Sequence, residues 1–197
     1  MLIILTGVPG TGKTSLSLIF KKMKYKVISI NEFVKKKRLF KKENGENIVD
    51  IKNLDKKLTY EVKKLAKKNN NILIEGHLAC ELKKINSLHP DLCIVLRRKP
   101  LLLKKILEKR KYKERKVKDN LECELIDYCG TKARENLNCP IYELDIDNKA
   151  ALDKLIKLIK ESRKDKIENL KDVYVDWIKY YSRHKDEFEK FINWLVK

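Results

Sequence analysis

Leu2-Ile3-Ile4-Leu5-Thr6-Gly7-Val8-Pro9-Gly10-Thr11-Gly12-Lys13-Thr14 stands at the head of the chain, and its reading decides the fold. Gly7 to Thr14 fits the pattern G-x-x-x-x-G-K-[ST]. An apolar run precedes it, and a helical pattern opens within it and continues to about Met23, which is the strand–loop–helix setting the pattern requires. Glycines in such a loop let successive backbone N–H groups turn inward and cradle phosphate oxygens. The helix N-terminus adds the positive end of its dipole. Lys13 then reaches the β- and γ-phosphates of a nucleoside triphosphate, and the Thr14 hydroxyl is placed to ligate Mg²⁺. The expected ligand is therefore ATP with Mg²⁺.

Outward from the loop, short apolar runs alternate with helical patterns, the signature of a parallel α/β sheet covered on both faces. The runs Leu2–Thr6, Lys26–Ile30, Asn71–Glu75, Leu92–Leu96 and Ile141–Leu144 read as five strands. Leu54, Leu58, Val62 and Leu65 recur at helical spacing behind Asn53 as N-cap. Pro100 suits the first turn of a helix carrying Leu103, Ile106 and Leu107. Val117 to about Leu137 reads as one longer helix, and Leu152, Leu155, Ile156 and Ile159 mark a final amphipathic one.

Glu75 closes the third run and is the acidic group a P-loop needs at the end of a neighbouring strand, to hold the metal shell or orient a nucleophile. His77, two residues on, reads equally as a structural histidine and as a catalytic one. Two basic insertions interrupt the alternation, Asn31–Asp50 and Lys109–Lys118. Arg110 in the second is the candidate cation that closes over a transferring phosphoryl group. The expected catalytic set is thus Lys13, Glu75, His77 and Arg110, with Thr14 and Glu75 on the metal. Arg38, Arg97 and Arg134 are possible contacts for an acceptor phosphate, each also readable as a surface arginine.

The chain carries 47 Lys+Arg against 28 Asp+Glu in 197 residues, a formal net charge of +19, which favours polyanionic partners. A lysine-rich background also accounts for part of it. No signal segment and no apolar run of membrane-spanning length is visible, so a cytoplasmic protein without a membrane partner is expected. Five cysteines without a C-x-x-C pair read as free thiols. The segment Asp165–Lys197 carries seven aromatic side chains at Tyr174, Trp177, Tyr180, Tyr181, Phe188, Phe191 and Trp194. They are expected to pack a helix on the core rather than stack nucleic-acid bases.

With the P-loop, Glu75-Gly76-His77, Pro90–Arg97, Glu108–Tyr112 and Asp119–Glu124 in place, the chain resembles the nuclear or archaeal type of adenylate kinase, called adenylate kinase isoenzyme 6 in animals. The resemblance runs from Met1 to about Arg163. It implies a P-loop kinase domain over residues 1–163 with a five-stranded parallel core, an NMP-binding insertion at 31–53 and a short lid at 109–119, followed by an extension at 164–197. It further implies ATP contacts at Gly10, Gly12, Lys13, Thr14, Ser15 and the lid Arg110, with Asn148 and Lys149 beside adenine. Phosphoryl transfer from ATP to AMP, with some breadth in nucleotide, would be accompanied by ATP hydrolysis. The family also assists maturation of the small ribosomal subunit and its 16S-type rRNA through a platform ribosomal protein. An assembly ATPase with little kinase activity is the alternative. The chain departs from the family pattern in having Glu75 for an aspartate and Lys111 for a lid glycine.

Overall fold

A computed structural model describes residues 1–43, 46–161, 167 and 174–196; the expected boundary at Arg163 and the start of the aromatic segment lie outside them. Five parallel strands form the sheet: β1 (Leu2–Thr6), β2 (Lys26–Ser29), β5 (Ile72–Glu75), β6 (Leu92–Arg97) and β7 (Ile141–Asp145). Their spatial order is β2-β5-β1-β6-β7, with β1 central. Every expected strand is present, each within a residue or two of its expected bounds.

The pleat divides the strand residues between two apolar cores. Ile3, Leu5, Leu73, Ile94, Leu96 and Leu144 face one side, where Leu16 and Phe20 of α1 (Lys13–Lys22) and Leu155 and Ile159 of α7 (Lys149–Lys160) cover them. Ile4, Ile72, Ile74, Cys93, Val95 and Ile141 face the other. There the cover comes from α2 (Ile30–Lys37), α3 (Ile51–Ala66), α4 (Pro100–Lys109), α5 (Glu114–Leu125) and α6 (Tyr128–Asn136). All five cysteines are free thiols. No helix among the described residues is long and apolar enough to cross a membrane.

Three features differ from expectation. The insertion after β2 is structured: α2 is followed by an antiparallel hairpin, β3 (Phe40–Glu43) with β4 (Glu46–Val49). The cap of α3 is Asp50, whose carboxylate accepts from Asn53 N at 3.1 Å, so Asn53 lies inside the first turn. The long helix expected after Val117 is broken at Asp127, which adopts a left-handed φ of 54° and caps α6 by accepting from Gly130 N at 3.1 Å. A Cβ on Gly130 would stand 2.3 Å from an Asp127 carboxylate oxygen, so the break and the glycine belong together.

The break exists because Asp127 joins a buried ion cluster. Arg97, 1% exposed, donates to Glu124 at 2.9 Å, Asp127 at 2.6 Å and Glu143 at 2.6 Å. Arg134 donates to Asp127 at 2.9 Å and to Glu143. Arg97 and Arg134 are therefore structural cations, which corrects both readings left open by the sequence, a contact to an acceptor phosphate and a surface arginine: their guanidinium groups are spent on three buried or half-buried carboxylates. Burial pushes the Glu124 and Asp127 carboxyls up, against the pull of Arg97.

The aromatic segment closes this cluster, as the packing reading expected. Val175 N donates to Glu143 at 2.9 Å, Trp177 Nε1 donates to Glu124 at 2.7 Å, and the Arg134 guanidinium lies 4.1 Å from the Tyr174 ring centroid. Two helices follow, α8 (Trp177–Ser182) and α9 (Lys185–Leu195), burying Trp177, Tyr181 and Phe191.

Candidate active site

All five strands are parallel, so their C-terminal ends share one edge of the sheet, where a crevice forms outside the carboxyl ends. The phosphate loop leaves β1 there. Gly7 has φ 132°, and a Cβ on it would lie 2.4 Å from the Leu96 carbonyl oxygen of β6. Gly10 has φ 95°, and a Cβ would lie 2.6 Å from Leu103 of α4. A side chain at Gly7 would collide with the strand backbone, and one at Gly10 would be strained by its left-handed φ and crowd Leu103, so the loop is held close between a strand and a helix. Thr11, fully buried, fixes its curvature by donating Oγ1 to the Val8 carbonyl at 2.9 Å.

Lys13 spans the loop, its Nζ donating to the Gly7 carbonyl at 2.7 Å and the Val8 carbonyl at 2.9 Å. Burial pulls its pKa down from 10.5 to about 8, with the Glu75 carboxylate among the charges acting the other way. Glu75 ends β5, beside β1, and the following residues are anchored to that strand: Thr6 Oγ1 donates to the His77 carbonyl at 3.2 Å. The His77 imidazole pKa is lowered by burial and then by the Lys13 charge, which favours a neutral ring able to donate one hydrogen bond and accept another.

These groups line one cavity of about 220 Å³. Pro9, Gly10, Gly12, Lys13, Thr14 and Ser15 line it from the phosphate loop and the start of α1, Glu75 and His77 from the end of β5 and beyond, and Arg110 and Tyr112 from the connection between α4 and α5. Asn31, in the first turn of α2, completes the lining. The structure thus gathers Gly10, Gly12, Lys13, Thr14, Ser15, Glu75, His77 and Arg110, all expected together from the sequence. Asn31 and Tyr112 were missed, since a lone asparagine or tyrosine in a basic insertion carries no pattern of its own.

Asn148 and Lys149 do not line this cavity. Asn148 caps α7, accepting from Ala151 N at 3.1 Å. Their loop nevertheless flanks the phosphate loop, with Ile146 3.4 Å from where a Gly12 Cβ would lie. Arg98 ties the two loops, donating to the Gly10 carbonyl at 3.0 Å and through Nε and Nη2 to Asp147 at 3.0 and 2.9 Å. Arg38 lies elsewhere, in a second cavity of about 320 Å³ with Phe40, Lys41, Asp50 and Asn53, between the hairpin and the start of α3. Lys111 has a left-handed φ of 57°, a conformation that glycine adopts without strain.

Fold and loop together define a P-loop protein of the small-kinase type. Residues 3–127 match the family model described as an AAA domain. A chain from Methanocaldococcus jannaschii named "Putative adenylate kinase" is 32% identical over 188 residues, covering 92% of this chain and 95% of its own length. A chain of the same name from Methanosarcina acetivorans is 34% identical over 190 residues, covering 90% and 98%. Among solved structures, shikimate kinase from Acinetobacter baumannii in complex with shikimate superposes with a TM-score of 0.54 at 16% identity, covering 82% of this chain and 94% of that one. A deoxyadenosine kinase from M. mycoides does so with 0.50 at 19% identity, covering 82% and 98%; both likenesses concern the fold. The chain belongs to the family described as an AAA domain, and it is a relative of these archaeal proteins named putative adenylate kinase.

Proposed function

We propose that the protein transfers the γ-phosphoryl group of ATP·Mg²⁺ to a nucleoside monophosphate, with AMP as acceptor, and hydrolyses ATP when no acceptor is bound. The observation that carries this reading is the single cavity in which Lys13, Thr14, Glu75, His77 and Arg110 meet over the phosphate loop. In the transfer, an acceptor phosphate oxygen bonds to the γ-phosphorus while the bond to the β,γ-bridging oxygen breaks, and ADP leaves with that electron pair. Lys13 holds the β- and γ-phosphates, and Arg110 faces the charge that develops on the transferring group. His77, kept neutral, is suited to orient an acceptor oxygen or water by hydrogen bonding.

The donor set suits Mg²⁺: a hydroxyl at Thr14 and a carboxylate at Glu75 line the same cavity, and the described residues contain no group of three acidic, histidine or cysteine side chains that would cage an ion by themselves. Thr14 and Glu75 would hold the ion together with phosphates and water, and its charge would offset that of the phosphates. The 31–53 insertion supplies the acceptor subsite, with Arg38 and Lys41 as cations on its cavity. Residues 109–119 act as the lid, and the loop of Asn148 and Lys149 lies on the adenine side.

Incubation with ATP·Mg²⁺, with and without AMP, and separation of ADP from inorganic phosphate tests the reading. AMP-dependent ADP formation, two ADP per ATP consumed, is expected; free phosphate alone in both arms would overturn it. The second reading, a ribosome-assembly ATPase with little kinase activity, is favoured by the structural use of Arg97 and Arg134, which leaves Arg38 as the one expected acceptor-side arginine. In that reading the +19 charge serves binding to a small-subunit component, a platform ribosomal protein or rRNA. Enrichment of such a component from extract in one nucleotide state would support it.

A further inference from the structure

We propose that the C-terminal helix α9 is a brace for the lid, and that Trp194 is a positioning residue for Arg110. The proposal rests on the reading of Arg110 as the cation that faces the transferring phosphoryl group.

Arg110 and Tyr112 are carried by the short connection Arg110–Lys113, whose two roots are the end of α4 and the start of α5. Both side chains are exposed, and the connection has no apolar anchor of its own. Its geometry over the phosphate loop therefore depends on how α4 and α5 are held. They pack on each other through Leu103, Leu107, Val117 and Leu121, and α9 joins the same apolar cluster through Phe191, 1% exposed. Near the end of α9 the indole of Trp194 meets both helices. Lys104 Nζ of α4 lies 4.2 Å from its ring centroid and Lys118 Nζ of α5 lies 5.7 Å away, both within the range of cation–π attraction.

Each of these lysines also holds a carboxylate one turn nearer the lid. Lys104 pairs with Glu108 at 3.3 Å and Lys118 with Glu114 at 3.5 Å. Glu108 in turn accepts Lys111 N at its carbonyl at 2.8 Å, and Glu114 opens α5 directly after the connection. Contacts thus run from one indole through two lysines to the two roots of the lid. The other end of the aromatic segment is fixed independently, at Glu124 by Trp177 and at Lys99, which donates to Tyr180 Oη at 2.7 Å. Removing the indole therefore releases the lid roots without undocking the segment.

The test compares wild type, Trp194→Ala and Trp194→Phe, each with and without Arg110→Ala. Limited trypsin digestion with mass-spectrometric assignment reads the rate of cleavage within residues 109–118 and needs no catalysis. We expect Trp194→Ala to raise that rate by about five- to tenfold, the scale of two exposed cation–π contacts, and Trp194→Phe, which keeps an aromatic face, to restore it. In the phosphotransfer assay Trp194→Ala should lower kcat by a similar factor with little change in KM for ATP, and should have no further effect on kcat once Arg110 is alanine. Unchanged cleavage in Trp194→Ala, or an equal kcat loss with and without Arg110, would overturn the brace. A wild-type protein with no phosphotransfer would instead defeat the kinase reading, while the cleavage rates would still decide the brace.

Discussion

At the scale of single residues, Lys13 shows how burial and function meet. Its ammonium is drawn into the loop and titrates near 8, so it loses its charge well below the range of an exposed lysine. ATP·Mg²⁺ affinity should therefore weaken as pH rises past about 8, because the deprotonated amine no longer offsets phosphate charge. Calorimetric titration from about pH 7 to about pH 9.5 checks this, with Lys13→Met expected to bind weakly and to show a flat profile. Stability carries the opposite sign. An unfolded chain holds Lys13 near 10.5 and so binds more protons between the two values, which means the group's contribution to folding rises across that window. Lys111 makes a different prediction. It closes α4 with a left-handed turn in which Lys111 N donates to Glu108 O at 2.8 Å and Tyr112 N to Leu107 O at 3.2 Å. Glycine takes that conformation freely, so Lys111→Gly should raise stability by up to about 1 kcal/mol in urea unfolding, with an unchanged m-value. The residues of the phosphate site were largely legible because the motif is a run of adjacent positions with one stereochemical purpose. The roles of Arg97 and Arg134 were not, since an arginine's partner is chosen by tertiary placement and its letter is the same in a binding site and in a buried ion pair.

Among the elements, the strands were readable because two-sided burial demands unbroken apolar runs, and the five runs stand apart from a lysine-rich background. The hairpin β3–β4 was not foreseen, although Asn44-Gly45 between its strands is a strong hairpin signal. Its strands are short and mostly polar, with Lys41, Lys42 and Glu43 exposed, so alternation is weak. The α5–α6 break was hidden because Asp127 and Gly130 read as tolerable helix residues until Arg97 is known to need the carboxylate. The hairpin and α3 enclose the cavity on which Arg38 lies, with the arginine held at the end of α2 in a left-handed φ of 49°. Arg38→Ala is expected to raise KM for AMP by about tenfold or more, the scale of one lost charge-assisted contact. KM for ATP should stay nearly constant. Equal changes in both constants would remove this cavity from the acceptor role.

For the whole molecule, the buried ion cluster is the joint between the sheet, α5, α6 and the C-terminal segment. Replacing Arg97 by leucine would leave Asp127 and Glu143 with Arg134 as their paired cation, and Glu124 with the neutral donors Trp177 Nε1 and Arg98 N. Removing one partner of such a buried set costs about 3–5 kcal/mol, so Arg97→Leu should lower the urea midpoint sharply. It should also expose Trp177, read as a red shift in fluorescence at denaturant concentrations where the wild type is native. The central position of β1 has a further consequence, for the order of events on the ribosome. Leu2 pairs with Ile72 on one side and Ile3 with Leu92 on the other, so the strand that launches the phosphate loop is synthesised well before either of the strands that satisfy it. Until the chain has been made through β6 the loop has no wall at Leu96 against which to curve, and Leu2–Leu5 is a sticky apolar segment without neighbours. Nascent chains arrested before β6 leaves the exit tunnel should accordingly fail to be retained on an immobilised nucleotide and should recruit chaperones. Those arrested after β7 has emerged should escape both fates.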